Sequence, residues 1–171
     1  PKRDYNNHKE ELDYALLSVA KEGDFINGKK VKELKKELEK YTQCKHAITC
    51  ANGTDALFIS LKALDIGIGD EVITVALSWI SSAETISMTG AEPIWIDICQ
   101  NNFCMDENLI EEKITEKTKA ILAVSLYGFM PDYEKIFKIA QKYKLYVIED
   151  GAQSFGSERD GYKSCSNKYT D

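Results

Sequence analysis

Apolar residues recur along this chain at two different spacings, and the switching between them predicts the architecture. Leu12, Ala15, Leu16 and Val19 stand at helical intervals, with Gly23 behind them as a stop. From residue 29 to 40 lysine alternates with glutamate, while Val31, Leu34, Leu38 and Tyr41 form one apolar stripe. That pattern predicts a solvated amphipathic helix. Residues 46–50 are β-prone and end at Ala51-Asn52-Gly53, after which Leu57, Phe58, Leu61 and Leu64 mark another helix. Strands are then predicted over 71–75, 93–98, 120–124 and 145–148. Helices are predicted between them over 79–89, 106–114 and 133–143, with Asp106 as a cap. The runs at 120–124 and 145–148 are continuously apolar, as in strands buried on both sides. Strand–helix repetition, about five times over, predicts an α/β fold: a mostly parallel sheet with helices on both faces.

No repeat, low-complexity segment or linker divides the pattern. The chain therefore reads as a single domain, with N-terminal helices over 1–43 and an α/β part over 44–171. A hydrophobic share of 43% and a charged share of 29% fit a globular protein. The net charge of -6 argues against nucleic acid or an anionic membrane as the main partner, because both require a basic face. The five cysteines are odd in number and form no Cys-x-x-Cys pair, so neither a metal site nor a disulfide framework is expected. Reduced thiols in the cytoplasm follow. No apolar run has the length of a membrane span, and no signal peptide is visible. The chain starts at Pro1 and stops at Asp171 in a polar stretch, and both ends read as cuts in a longer sequence.

Ligands of open α/β sheets bind where strands end and helices begin, which singles out three places. Asn52-Gly53-Thr54-Asp55 joins a β-prone run to a helix. Free N–H groups and the helix dipole there suit a phosphate, though the same residues also make an ordinary turn and cap. Ser78-Trp79-Ile80-Ser81 follows a strand; Trp79 either offers a flat ring to a planar ligand or anchors the core. Asp150 ends an apolar run, where a carboxylate needs a cationic partner unless it caps the next turn. Gly67-Ile68-Gly69 precedes a strand instead of opening a helix, so it is a turn and not a dinucleotide fingerprint.

Taken in order, Asn-Gly-Thr-Asp-Ala-Leu at 52–57, Ser78-Trp79, Leu126-Tyr127-Gly128 and Ile-Glu-Asp-Gly-Ala-Gln-Ser at 148–154 resemble the sugar aminotransferases of the DegT/StrS type. Phe25-Ile26-Asn27-Gly28, Gly69-Asp70-Glu71-Val72-Ile73 and Thr118-Lys119-Ala120-Ile121 extend the likeness to nearly the whole chain. The resemblance implies the large domain of a fold type I pyridoxal-phosphate (PLP) transferase, truncated. By the same resemblance Gly53 and Thr54, with Asp55, would hold the PLP phosphate. Trp79 would stack on the ring, Asp150 would pair with the ring nitrogen as the catalytic acidic residue, and Gln153 would hydrogen-bond near the phenolic oxygen. No metal is implied.

The implied activity is transfer of an amino group, with glutamate as donor, to a nucleotide-linked keto-sugar for surface polysaccharide or glycoconjugate synthesis. The resemblance also implies a homodimer. The residues around Trp79, 124–128 and 162–165 lean toward enzymes acting on 3-keto UDP-sugar acids. The Schiff-base lysine of the family is expected about ten residues past Asp171, and Lys163 and Lys168 come too early for it. Relatives with histidine at that position are sugar dehydratases. A dehydratase and a non-catalytic remnant therefore stand as alternatives. The family pattern also pairs residues 46–50 as a strand with a later one.

Overall fold

A computed structural model describes residues 2–171, which form two compact units, one ending at Thr49 and the other spanning Cys50–Asp171. The first holds α1 (Lys2–Asn7), α2 (Lys9–Glu22) and α3 (Lys29–Thr42), none of which buries a residue. Its helices stop where the chain turns left-handed, at Gly23 (φ 69°) and Gln43 (φ 60°). The division into units falls at 49/50, six residues later than the 43/44 boundary read from the sequence.

The second unit is built on four strands: β1 (Glu71–Val75), β2 (Glu92–Ile96), β3 (Thr118–Val124) and β4 (Tyr146–Asp150). They are all parallel, in the order β2-β1-β3-β4. α4 (Gly53–Ala63) precedes β1, and α5 (Ser81–Thr89), the short α6 (Ile110–Lys113) and α7 (Tyr133–Tyr143) run between successive strands. Every residue of β1 is buried, and all of β3 except Lys119. Side chains of a strand alternate between faces, so burial of the whole strand means both faces are covered. Val72, Ile73, Ile86, Ile110, Ile121, Leu122, Ile136 and Val147 form the centre of the core, each fully shielded from solvent.

Two sequence expectations change. Residues 46–50 carry no ladder; a β-prone run becomes a strand only when a neighbour pairs with its N–H and C=O groups. The helix expected over 106–114 divides into a single 3₁₀ turn at Glu107–Leu109 and α6. Asp106 does cap that turn, accepting the Asn108 N–H at 3.0 Å. Gly67–Gly69 is a turn as expected, closed by Asp70 N–H on the Gly67 carbonyl at 3.0 Å, with Gly69 at φ 92°. After β4 a two-residue hairpin, β5 (Glu158–Arg159) and β6 (Tyr162–Lys163), leads to the final segment.

Candidate functional site

The candidate site lies at the carboxyl ends of β1 and β4. Asn52 enters α4 in an extended conformation (φ −164°, ψ 176°), and its Oδ1 accepts the Asp55 N–H at 2.9 Å. Helix geometry leaves the N–H groups of Gly53 and Thr54 without intrahelical acceptors, and the helix dipole makes that end partly positive. A methyl group placed on Gly53 would meet nothing within 4 Å. The fold itself therefore does not demand glycine here; the space above the helix start is open. Asp55 faces elsewhere: its carboxylate accepts Asn52 Nδ2 at 3.1 Å, and it does not line the cavity.

The turn after β1 supplies the next wall. Trp79 is 74% exposed, which removes the core-anchor reading, and it borders the cavity. The two serines that open α5 are buried and face in different directions. Ser81 Oγ sits 2.6 Å from Thr54 Oγ1. Ser82 Oγ donates to Asp150 Oδ2 at 3.2 Å. Neither contact was visible in the sequence, since their partners lie 27 and 68 residues away.

Asp150 is the last residue of β4 and only 8% exposed. The Ala152 N–H donates to its Oδ1 at 3.1 Å, so it does cap the following turn while also lining the cavity. Among the described residues no lysine, arginine or histidine forms an ion pair with it. A buried carboxylate held only by neutral donors favours a cation arriving in the cavity. Gln153 is oriented from a third loop: its Oε1 accepts the Tyr127 N–H at 3.0 Å, leaving the amide nitrogen as the donor end. Tyr127 (φ 55°) and Gly128 (φ 89°) are both left-handed in that turn.

Gly53, Thr54, Trp79, Asp150 and Gln153 thus border one cavity of ≈ 260 Å³, together with Ser81. Clefts of ≈ 280 Å³ and ≈ 560 Å³ exist elsewhere, between α4 and β4 and beside the start of β3. Size does not choose among them. Only the smallest of the three joins a helix start, a flat aromatic ring and a buried carboxylate.

Behind Asp150, Glu149 holds the final segment in place. Its Oε1 accepts Ser125 Oγ (2.8 Å) and Ser164 Oγ (2.7 Å); its Oε2 accepts the Cys165 N–H (2.8 Å) and Asn167 Nδ2 (3.0 Å). Burial, then the Glu149 charge, push the Tyr133 phenol well above its usual range. Tyr133 therefore keeps its proton and donates it to Ser125, 3.1 Å away. Cys165 exposes part of its surface, but its sulfur lies toward Gly151, and burial followed by the Glu149 charge raises the thiol to about 11. A methyl group on Gly151 would stand 2.2 Å from that sulfur and 3.0 Å from Ser164 Oγ. Gly151→Ala is accordingly expected to destabilise the protein by about 1–3 kcal/mol through overpacking. Adding Cys165→Gly, at a left-handed position (φ 58°), should recover most of that loss. Urea unfolding midpoints of the single and double variants check both statements.

Fold and site together define a parallel α/β protein with a ligand cavity at the strand ends, where a helix start faces a buried carboxylate. Comparison with known sequences is specific about which one. The DegT/DnrJ/EryC1/StrS aminotransferase family matches residues 6–170, and the chain belongs to that family. Aminotransferases of this family are PLP-dependent. The chain is 44% identical to the UDP-2-acetamido-2-deoxy-3-oxo-D-glucuronate aminotransferase of Pseudomonas aeruginosa, over 92% of this chain and 44% of that protein. It is 42% identical to the dTDP-3-amino-3,6-dideoxy-alpha-D-galactopyranose transaminase of Aneurinibacillus thermoaerophilus, over 90% and 42%. Among solved structures, NtdA of Bacillus subtilis with bound cofactor PMP superposes with a TM-score of 0.89 at 38% identity, over 97% of this chain and 37% of that one. The chain spans less than half the length of these relatives.

Proposed function

We propose that the protein to which this chain belongs moves an amino group from glutamate to a keto-sugar carried on a nucleotide diphosphate, with PLP held in the cavity between α4, α5 and β4. One observation carries the reading: the Asp150 carboxylate is buried, forms no ion pair with a cation among the described residues, and lies in the same cavity as an open helix start. A cofactor with a phosphate at one end and a basic ring nitrogen at the other matches both features. When bound, PLP supplies an electron sink that lets a C–N bond be exchanged between amino acid and keto-sugar.

The chain's own residues prepare for it. The N–H groups of Gly53 and Thr54, backed by the α4 dipole, hold the phosphate. Trp79 covers one face of the ring. Asp150, ionised, keeps a proton on the ring nitrogen, and Gln153 offers its amide N–H to the phenolic oxygen. Asp55 is proposed to act through the cap it forms with Asn52, not by touching the phosphate. No helix among the described residues is long and apolar enough to cross a membrane. A cytoplasmic homodimer serving polysaccharide or glycoconjugate synthesis is proposed on the family resemblance.

The sugar is narrowed by the Pseudomonas relative, whose name specifies a 3-oxo uronic acid on UDP. We take a 3-keto UDP-sugar acid as the substrate class. The test is to load the whole protein with PLP by dialysis and follow 2-oxoglutarate release from glutamate. A UDP-linked 3-keto uronic acid should be used at least about tenfold more efficiently than a 4-keto deoxysugar, the scale set by one well-matched charged group. Failure to retain PLP would sink the cofactor reading; equal use of both sugars would sink only the substrate class.

A further inference from the structure

We propose that Ser82 is a positioning residue that fixes the ionised Asp150 carboxylate toward the cavity, through a hydroxyl chain starting at Ser78. This rests on the reading of the cavity as the PLP site. Ser82 is 1% exposed, in the first turn of α5, and its Oγ lies 3.2 Å from Asp150 Oδ2. Ser78 Oγ lies 2.8 Å from Ser82 Oγ. An ionised carboxylate only accepts, and a serine hydroxyl has a single proton. The Ser82 proton must therefore point at Asp150, which obliges Ser78 to donate to Ser82. The polarity of the chain is fixed from its acceptor end.

The other oxygen, Oδ1, is held by the Ala152 N–H at 3.1 Å. Each Asp150 oxygen thus has one donor supplied by the protein, from a different element: α5 on one side and the turn after β4 on the other. A carboxylate gripped at both oxygens cannot rotate freely about its side chain, and hydrogen bonds in a chain polarise one another. Ser81, one residue earlier, contacts Thr54 of the helix start. The first turn of α5 accordingly ties the phosphate end of the cavity to its acidic end.

The test uses the whole protein and pyridoxamine phosphate, which binds without a covalent link. Its dissociation constant is measured by equilibrium dialysis, and the 15N shift of its labelled ring nitrogen by NMR, for the unaltered protein, Ser82→Ala, Ser82→Thr and Ser87→Ala. Ser87 is exposed on the same helix and controls for damage to α5. Ser82→Ala should bind about tenfold more weakly, the effect of one hydrogen bond to a charged group. Its ring-nitrogen shift should move toward the neutral form. Ser82→Thr, which keeps the hydroxyl, should restore both readouts, and Ser87→Ala should change neither. A Ser82→Ala protein with unaltered affinity and an unaltered shift overturns the inference while leaving the cofactor reading intact. Weakened binding with an unchanged shift, or without rescue by threonine, also overturns it, since packing damage alone would give that. Absence of binding by the unaltered protein overturns the inference and the reading beneath it together.

Discussion

Asp150→Asn in the whole protein is expected to lower turnover by about 100- to 1,000-fold, the scale for removing one preorganised charge from a reacting centre. The substitution nearly conserves shape, so the effect isolates the charge. Both present donors, Ser82 Oγ–H and Ala152 N–H, point at carboxylate oxygens. An amide offers only one oxygen. The Ala152 N–H cannot reverse, so the asparagine oxygen should stay with it, and the new amide group should face Ser82, whose hydroxyl can turn to accept. That arrangement presents no negative charge to a ring nitrogen. Without cofactor, the variant should melt at or above the temperature of the unaltered protein, because a buried charge with no ion-pair partner among the described residues has been removed. Steady-state rates together with melts of both apo proteins check this pair of statements. Turnover within tenfold of the unaltered protein would refute the assigned role for Asp150.

The same residue shows how far the sequence carries. Its position after an apolar run marks it as costly to bury, and in the structure it ends a strand in the cavity wall. The parallel sheet is also readable, because β3 and β4 contain continuous apolar runs, β1 is β-prone and α7 is amphipathic. What could not be read depends on partners distant in sequence. Residues 46–50 look like a strand by composition and are none, since pairing is not a local property. Ser81 and Ser82 look like two unremarkable helix-opening serines. Only the packing of α5 beside α4 and β4 gives each its separate acceptor or partner. Local pattern alone leaves Trp79 undecided between core and ligand surface. Its exposure decides against the core, while stacking on a ring is a matter for the complex.

Glu149→Ala is expected to destabilise the protein by about 3–5 kcal/mol, the range for stripping the charged partner from a set of buried hydrogen bonds. Four donors converge on this one carboxylate, and they come from two places: Ser125 after β3, and Ser164, Cys165 and Asn167 in the final segment. Truncation leaves them to find water in a partly buried cluster. The loss should be felt first in the segment after β6, whose other ties to β4 are the two hydrogen bonds between Asp171 and Val147, both at 2.9 Å. Glu149→Gln should be milder, for a geometric reason. The hydroxyls of Ser125 and Ser164, both on Oε1, can rotate to accept from an amide. The Cys165 N–H cannot, and flipping Asn167 would break its Oδ1 contact with the Tyr169 N–H at 2.9 Å. The glutamine nitrogen should therefore turn to the serines and its oxygen to Cys165 and Asn167, keeping most of the cluster. Urea unfolding should rank the proteins as unaltered, then Gln, then Ala. Limited trypsin digestion should speed up at Lys163 and Lys168 in the same order, because local opening of that segment exposes those bonds. Equal midpoints and equal cleavage rates for Glu149→Ala and the unaltered protein would show that the segment is held by packing and not by this carboxylate.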